Sequence, residues 1–152
     1  MRILGLLLIS SAILFLAGCK KENAEEQAAI DDQLIQDYII ANNLVAEKDD
    51  SGLYVVIDQQ GTGATCNSSS DVRVAYTGYY TDGQIFDGSS SQGITFNLGG
   101  VIEGWKIGIP YFREGGSGKL LIPSALGYGP SGQGSIPPNS VLIFDIELIE
   151  VL

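Results

Sequence analysis

Val141-Leu-Ile-Phe-Asp-Ile-Glu-Leu-Ile-Glu-Val-Leu152 decides the fold class of this chain. Leu142, Phe144, Ile146 and Leu148 stand two residues apart, so they share one face of an extended strand. Similar signals recur upstream. Leu53-Tyr-Val-Val-Ile57 is β-branched and aromatic, Val72 to Tyr80 alternates, and Thr81-Asp-Gly-Gln84 reads as a hairpin turn into Ile85-Phe86. Ile94 to Leu98 alternates again, and Lys119 to Ile122 is a strand stopped by Pro123. Between the strands, Val101 to Ile109 has the character of a short helix closed by Pro110, and Ser124 to Ser140 is a long Gly/Pro loop. The pattern predicts an α+β domain: a mostly antiparallel sheet folded against one short helix.

A further helix is expected before the sheet, from Glu25 to Leu44. Ile30, Leu34, Ile35, Tyr38 and Ile39 recur at three- and four-residue steps and form one apolar stripe. Asn42-Asn43 and Asp49-Asp-Ser-Gly52 end it. The stripe is short for an independent dimer stalk, so the helix is expected to pack on its own domain.

Residues 1–18 do not read as part of the fold. Met1-Arg2 is a short positive segment and Ile3 to Leu16 an apolar one, too short to span a bilayer comfortably, so a signal peptide is expected. It ends Leu16-Ala-Gly-Cys19, which resembles the lipobox of bacterial lipoproteins, whose cysteine sulfur takes a diacylglycerol. The resemblance implies lipidation at Cys19, a charged tether over residues 19–24, and a place in the bacterial cell envelope on the extracytoplasmic side. With Cys19 acylated, the second of the 2 cysteines, Cys66, has no partner within the chain, and no disulfide is expected. Cys66 sits in a loop-like stretch with no neighbour to activate it or share a metal, so it reads as an incidental thiol.

The formal net charge is −10, with 18 acidic against 8 basic side chains and no histidine. Phosphate backbones would be repelled, which argues against nucleic acid as a partner. The acids concentrate between Glu22 and Asp58, where they read as a solvated surface rather than a binding site.

The chemistry is carried by three segments: Val74-Ala-Tyr-Thr-Gly78 with Phe86-Asp-Gly-Ser-Ser90, Val101-Ile-Glu-Gly-Trp105, and Leu126-Gly-Tyr-Gly129 with Ile136-Pro-Pro-Asn-Ser140. They are rich in rings and hold no His, no Cys and no pairing of nucleophile with base. Such a site suits catalysis by desolvation and shape rather than by proton transfer. On pattern alone Trp105 and Phe144 read as core, while an aromatic in a Gly-rich loop, such as Tyr128, is less expected for packing. Asp87 could cap the turn that follows it. Glu103 and Lys106, three residues apart on a helix, read as a solvated ion pair.

In order and spacing these segments, ending in Phe144-Asp-Ile-Glu-Leu148, resemble the FKBP-type peptidyl-prolyl cis-trans isomerases over residues 53–152. The resemblance implies a five- to six-stranded antiparallel sheet wrapped around a short helix, with the site between them and residues 25–52 as an N-terminal helical extension. It implies Trp105 as the floor under a proline ring, and Tyr76, Phe86 and Phe144 as aromatic walls. Val101 and Ile102 open the helix, with the Ile102 N–H facing a substrate carbonyl. Tyr128 matches a hydroxyl donor to the peptide, Asp87 a carboxylate beside the site, and Ile136 an apolar residue before Pro137-Pro138. Ile94 is aliphatic where the family commonly has a further aromatic, and residues 89–93 lack the arginine often found near the aspartate.

The activity implied is rotation of X–Pro bonds in exported proteins during folding, with no metal or cofactor. Proline-containing polypeptides are the implied substrates, macrolides candidate ligands, and the membrane a partner through Cys19. A second reading keeps the same pocket as a proline-segment clamp of negligible turnover, a chaperone or adaptor module. A third, a surface adhesion or nutrient-binding β-domain, leaves the ordered segments unexplained.

Overall fold

The computed structural model describes residues 13–152, with side chains from Asn23 onward. The leader reading falls mainly on residues 1–12, which lie outside the described residues, as does the side chain of Cys19.

Helix α1 spans Ile13–Ala41, starting well before Glu25 and running through the expected tether. Lys20-Lys-Glu-Asn-Ala24 contains no Pro or Gly to stop it. It ends three residues earlier than the periodicity suggests, because Asn43 turns left-handed at φ 51°. The Leu44 N–H then reaches the Ile39 carbonyl at 3.0 Å and the Asn43 N–H the Ile40 carbonyl at 3.2 Å, a Schellman closure. No helix among the described residues is long and apolar enough to cross a membrane.

Seven strands follow: β1 (Glu47–Lys48), β2 (Tyr54–Gln59), β3 (Asp71–Tyr79), β4 (Ile85–Gly88), β5 (Ile94–Asn97), β6 (Gly116–Ile122) and β7 (Leu142–Val151). They form one antiparallel sheet in the order β1-β2-β6-β7-β3-β4, with β5 also paired to β3. Two-residue β1 is the strand beyond the expected number. Strand β6 begins at Gly116, upstream of the expected Lys119, since its glycines break the apolar pattern but suit the packing. A Cβ at Gly118 would collide with the Val56 carbonyl and stand 2.9 Å from the Phe112 ring.

Helix α2 (Glu103–Gly108) lies on one face of the sheet. Gly104 and Gly108, one turn apart, let it come close to β6: a Cβ at either would stand 2.6 Å from the side chain of Ile122 or Leu120, respectively. The main core fills this side, with Leu53, Val74, Ile109, Phe112, Leu120, Leu142 and Leu148 around Trp105 and Phe144.

The opposite face carries a second, smaller core: Ile35 of α1 against Tyr54, Val56, Leu121, Val141 and Ile143, with Tyr38 and Ile39 half-buried beside them. Helix α1 thus packs on its own domain through Ile35, Tyr38 and Ile39 of the stripe the periodicity picks out, but not through its first two members. Ile30 and Leu34 remain 47 % and 42 % exposed, while Asp31 is buried with Ile35. The helix is rotated because the Asp31 carboxylate has hydrogen-bond donors waiting at Ser124. On the outer side, Asp32 accepts from Lys48 and from the Tyr54 hydroxyl at 2.8 Å.

Candidate functional site

Pairing within the sheet brings the aromatic residues together. Tyr76 stands opposite Ile146 and Gly78 opposite Phe144 in the β3–β7 ladder, while Gly78 also pairs with Asp87 of β4. Phe144 and Phe86 therefore converge on the side of the sheet where α2 presents Trp105. The indole is the hub. Tyr76 and Phe144 meet it edge to face at centroid distances of 4.9 and 5.1 Å, and Phe96 lies 5.2 Å away at a tilt. Phe86 completes the chain of rings, 5.6 Å from Phe144 and perpendicular to it.

Above these rings lies a cavity of about 480 Å³, lined by Tyr76, Phe86, Asp87, Ile94, Phe96, Gly100, Val101, Ile102, Trp105, Tyr128 and Phe144. Eight of the nine side chains singled out in the sequence are on its wall; Ile136 is not. Its backbone exchanges hydrogen bonds with Gln133 at 2.9 and 3.0 Å, and its half-buried side chain packs on the main core. Ile94, Phe96 and Gly100 were not picked out as site residues. Phe96 supplies the further ring that Ile94 lacks, and the two-residue step from Ile94 to Phe96 is the signal that puts both on the cavity side.

Trp105 is 5 % exposed, and its buried indole N–H finds no acceptor among the described residues. The indole is held by packing, against rings and the aliphatic core, and not by a hydrogen bond of its own N–H. Asp87 uses both oxygens: Oδ2 accepts from the Tyr76 hydroxyl at 2.9 Å and Oδ1 from the Gly88 N–H at 2.8 Å. It therefore caps its turn and fixes a wall of the cavity at once. Burial, together with the Asp87 hydrogen bond and charge, pushes the Tyr76 hydroxyl up to about 12. Burial and the same carboxylate also raise Tyr128 above the ordinary tyrosine value.

Two donors at the cavity are unspent. The Tyr128 hydroxyl and the Ile102 N–H bond to no group among the described residues. Ile102 precedes α2 in an extended conformation, φ −61° and ψ 152°, while its carbonyl accepts from Trp105 and Lys106. Glu103 and Lys106 pair at 3.3 Å on the outer side of that turn. A second recess, of about 520 Å³, lies on the opposite sheet face, and its lining is mostly polar, with Ser89, Ser90, Ser91, Ser117, Lys119, Asp145 and Glu147 and no cluster of rings.

A ring-floored cavity with spare donors and no nucleophile is suited to holding a proline segment and excluding water. The sequence profile of the FKBP-type peptidyl-prolyl cis-trans isomerases matches residues 63–149. The chain belongs to this family. It is 39 % identical over 138 residues to the FKBP-type isomerase FkpA of Aeromonas hydrophila, covering 86 % of this chain and 50 % of that protein. It is 44 % identical over 104 residues to a probable FKBP-type isomerase of Haemophilus influenzae, covering 66 % of this chain and 43 % of that protein. The chain thus spans about half the length, or less, of these curated relatives.

Among solved structures, FkpA from Escherichia coli superposes with a TM-score of 0.72 at 34 % identity, covering 91 % of this chain and 68 % of that one. An isomerase from Pseudomonas syringae pv. tomato superposes with a TM-score of 0.70 at 31 % identity, covering 84 % and 94 %. The FKBP fold extends here to β2, which is hydrogen-bonded to β6 although it precedes the matched residues.

Proposed function

We propose that this chain accelerates cis-trans rotation of X–Pro bonds in exported polypeptides, with residues 53–152 as the isomerase domain and residues 25–52 as its helical extension. The observation that carries the reading is the Trp105-floored cavity with two unspent donors, Tyr128 and Ile102.

Rotation has to break amide resonance, a barrier of roughly 18–20 kcal/mol, and uncatalysed exchange takes roughly tens of seconds. No covalent step is needed. The planar amide is more charge-separated, and so better hydrated, than the twisted transition state. An apolar cavity that strips water therefore disfavours the planar form more. In this reading Trp105, Tyr76, Phe86 and Phe144 grip the proline ring. The Tyr128 hydroxyl and Ile102 N–H hold flanking carbonyls, so one end of the peptide stays fixed while the other turns. Each tenfold in rate needs only about 1.4 kcal/mol of differential binding, which such contacts can supply.

The test is isomerisation of a short X–Pro peptide by the full chain in detergent, compared with Trp105→Ala and Tyr128→Phe. Acceleration that both substitutions reduce supports the assignment. No acceleration by the folded protein would favour the proline-segment clamp, and wild-type kinetics in both variants would remove these residues from the mechanism. Trp105→Ala is also expected to cost about 3–5 kcal/mol of stability, because the indole is nearly fully buried. Tyr128→Phe deletes a single oxygen and is the cleaner probe.

The site contacts support macrolides as candidate ligands only through the shared ring-lined geometry, and binding of one in competition with the peptide would test it. We further propose that the mature protein is held in the bacterial cell envelope, extracytoplasmic, by a lipid on Cys19, as Leu16-Ala-Gly-Cys19 suggests. Mass spectrometry of the purified protein should find Cys19 diacylated. A Cys19→Ser variant should leave the membrane fraction, and retention there would refute the anchor.

A further inference from the structure

Asp31 and Ser124 are the buried polar side chains among the described residues, at 1 % and 2 % exposure, and they meet each other. The Ser124 N–H and hydroxyl both donate to Asp31 Oδ2, at 2.8 and 2.6 Å, and Gln27 Nε2 donates to Oδ1 at 2.8 Å. Ser124 opens a one-turn 3-10 helix, Ser124–Leu126, whose preceding residue is Pro123. Proline has no side-chain acceptor, so this turn cannot cap itself. Asp31 supplies the cap from another element, 93 residues away in sequence, through short bonds between two nearly fully covered side chains.

The turn so anchored leads directly to Tyr128. Leu126 N–H closes on the Pro123 carbonyl at 2.9 Å and Gly127 N–H on the Ser124 carbonyl at 3.0 Å, while the Leu126 side chain packs on the main core. The Tyr128 hydroxyl bonds to nothing among the described residues, so its tip does not fix its own place. What places it is its ring's packing on the core and the backbone on either side, held after it by the Asn139 N–H on the Gly129 carbonyl at 2.9 Å and pinned before it at Ser124.

We infer that Asp31 is a positioning residue for the isomerisation: by capping the Ser124 turn, helix α1 sets where Tyr128 stands at the cavity mouth. The inference rests on the reading of Tyr128 as a donor to substrate. It makes the N-terminal extension part of the catalytic apparatus rather than only a cover for the outer sheet face.

The test is a double-mutant cycle on the full chain in detergent, with kcat and KM measured for the wild type, Asp31→Ala, Tyr128→Phe and the double variant. Asp31→Ala is expected to lower kcat about three- to tenfold, with less change in KM. The double variant should be no slower than Tyr128→Phe alone, since a residue acting through Tyr128 has nothing left to position. Asp31→Asn, which keeps the volume and one acceptor oxygen, should recover most of the loss. Asp32→Asn, on the same helix but bonded to Lys48 and Tyr54, should lower the thermal midpoint without changing kcat. Additive losses in the double variant, or an equal kcat loss in Asp32→Asn, would overturn the inference and leave the role of Tyr128 intact. Wild-type kinetics in Tyr128→Phe would overturn both. Should Asp31→Ala fail to fold, Ser124→Ala takes its place in the cycle, removing one of the two donors while the amide bond to Asp31 remains.

Discussion

Tyr128 and Tyr76 differ in what surrounds their hydroxyls, and that difference sets how the site responds to alkali. Tyr76 donates to Asp87 and is pushed up to about 12; Tyr128 is raised by burial and by the same carboxylate. Both therefore remain neutral donors throughout the neutral range. For a tyrosine whose folded value lies above its unfolded value near 10.0, the stabilising contribution is complete below that value and is lost as pH rises through the folded one. Stability is expected to hold up to about pH 10 and fall between about pH 10 and 12 as the unfolded chain releases protons first. Turnover should follow the same limb, and Tyr76→Phe should make it shallower in a denaturation series across that window, the remainder belonging to Tyr79 and Tyr128, whose hydroxyls burial also raises. A midpoint already falling between pH 7 and 9 would contradict the assignment. At this scale much of the site was legible. The ordered series of segments, not any one of them, groups Tyr76, Phe86, Asp87, Trp105, Tyr128 and Phe144, and all six line the cavity, although Trp105 and Phe144 read alone as core. Phe96 shares a face with Ile94 through their two-residue step, but its contact with Trp105 depends on the ladder that sets Val72 opposite Phe96, and that register is not written in either segment alone.

The elements that hold the site depend on close approach, and α2 shows it most directly. Its Gly104 and Gly108 rest on Ile122 and Leu120 of β6, which carries Trp105 into the aromatic cluster. Gly108→Ala would gain helix propensity, worth about 1 kcal/mol in an exposed helix. Here the new methyl would stand 2.6 Å from Leu120, a fully buried residue. Overpacking of this kind typically costs about 1–3 kcal/mol, so the net effect should be destabilising. A denaturant titration should show a lower midpoint, together with weaker activity as α2 lifts Trp105 away from Phe144; an unchanged or raised midpoint would mean that α2 is free to shift. The same close packing explains what the sequence concealed. Glycines in β6 interrupt its apolar run, yet Gly118 sits where Val56 and Phe112 come nearest and Gly116 where the Gln60 and Arg113 backbone does. Helix α1 was visible as a helix, but its orientation was not: Ile30 and Leu34 look like core positions, whereas buried Asp31 becomes favourable only because Ser124 faces it. A partner 93 residues away leaves no trace in local periodicity.

Across the whole molecule, one sheet serves two cores: α2 and the cavity on one face, α1 on the other, under a net charge of −10. The charge does not enter the chemistry of rotation, because the site contains no group that must exchange a proton. Its effect is expected before binding, on the approach of a charged substrate. Asp87 is exposed at the cavity wall and pairs with no cation among the described residues, whereas Glu103 just outside is paired with Lys106, so the local sign rests on Asp87 and matches the global one. A peptide carrying lysines beside its X–Pro bond should therefore show a lower KM than the same peptide carrying glutamates, with similar kcat once bound. The difference should be largest at low ionic strength, where the screening length is about 30 Å at 0.01 M, and shrink at about 1 M, where it is only about 3 Å. Measuring KM for both peptides at the two salt concentrations separates steering from contact. Equal KM values at low salt would show that the acidic surface does not select substrates. A preference that persists at high salt would instead point to a direct ion pair with Asp87, and the Asp87→Asn variant, which keeps an acceptor for Tyr76, should then abolish it.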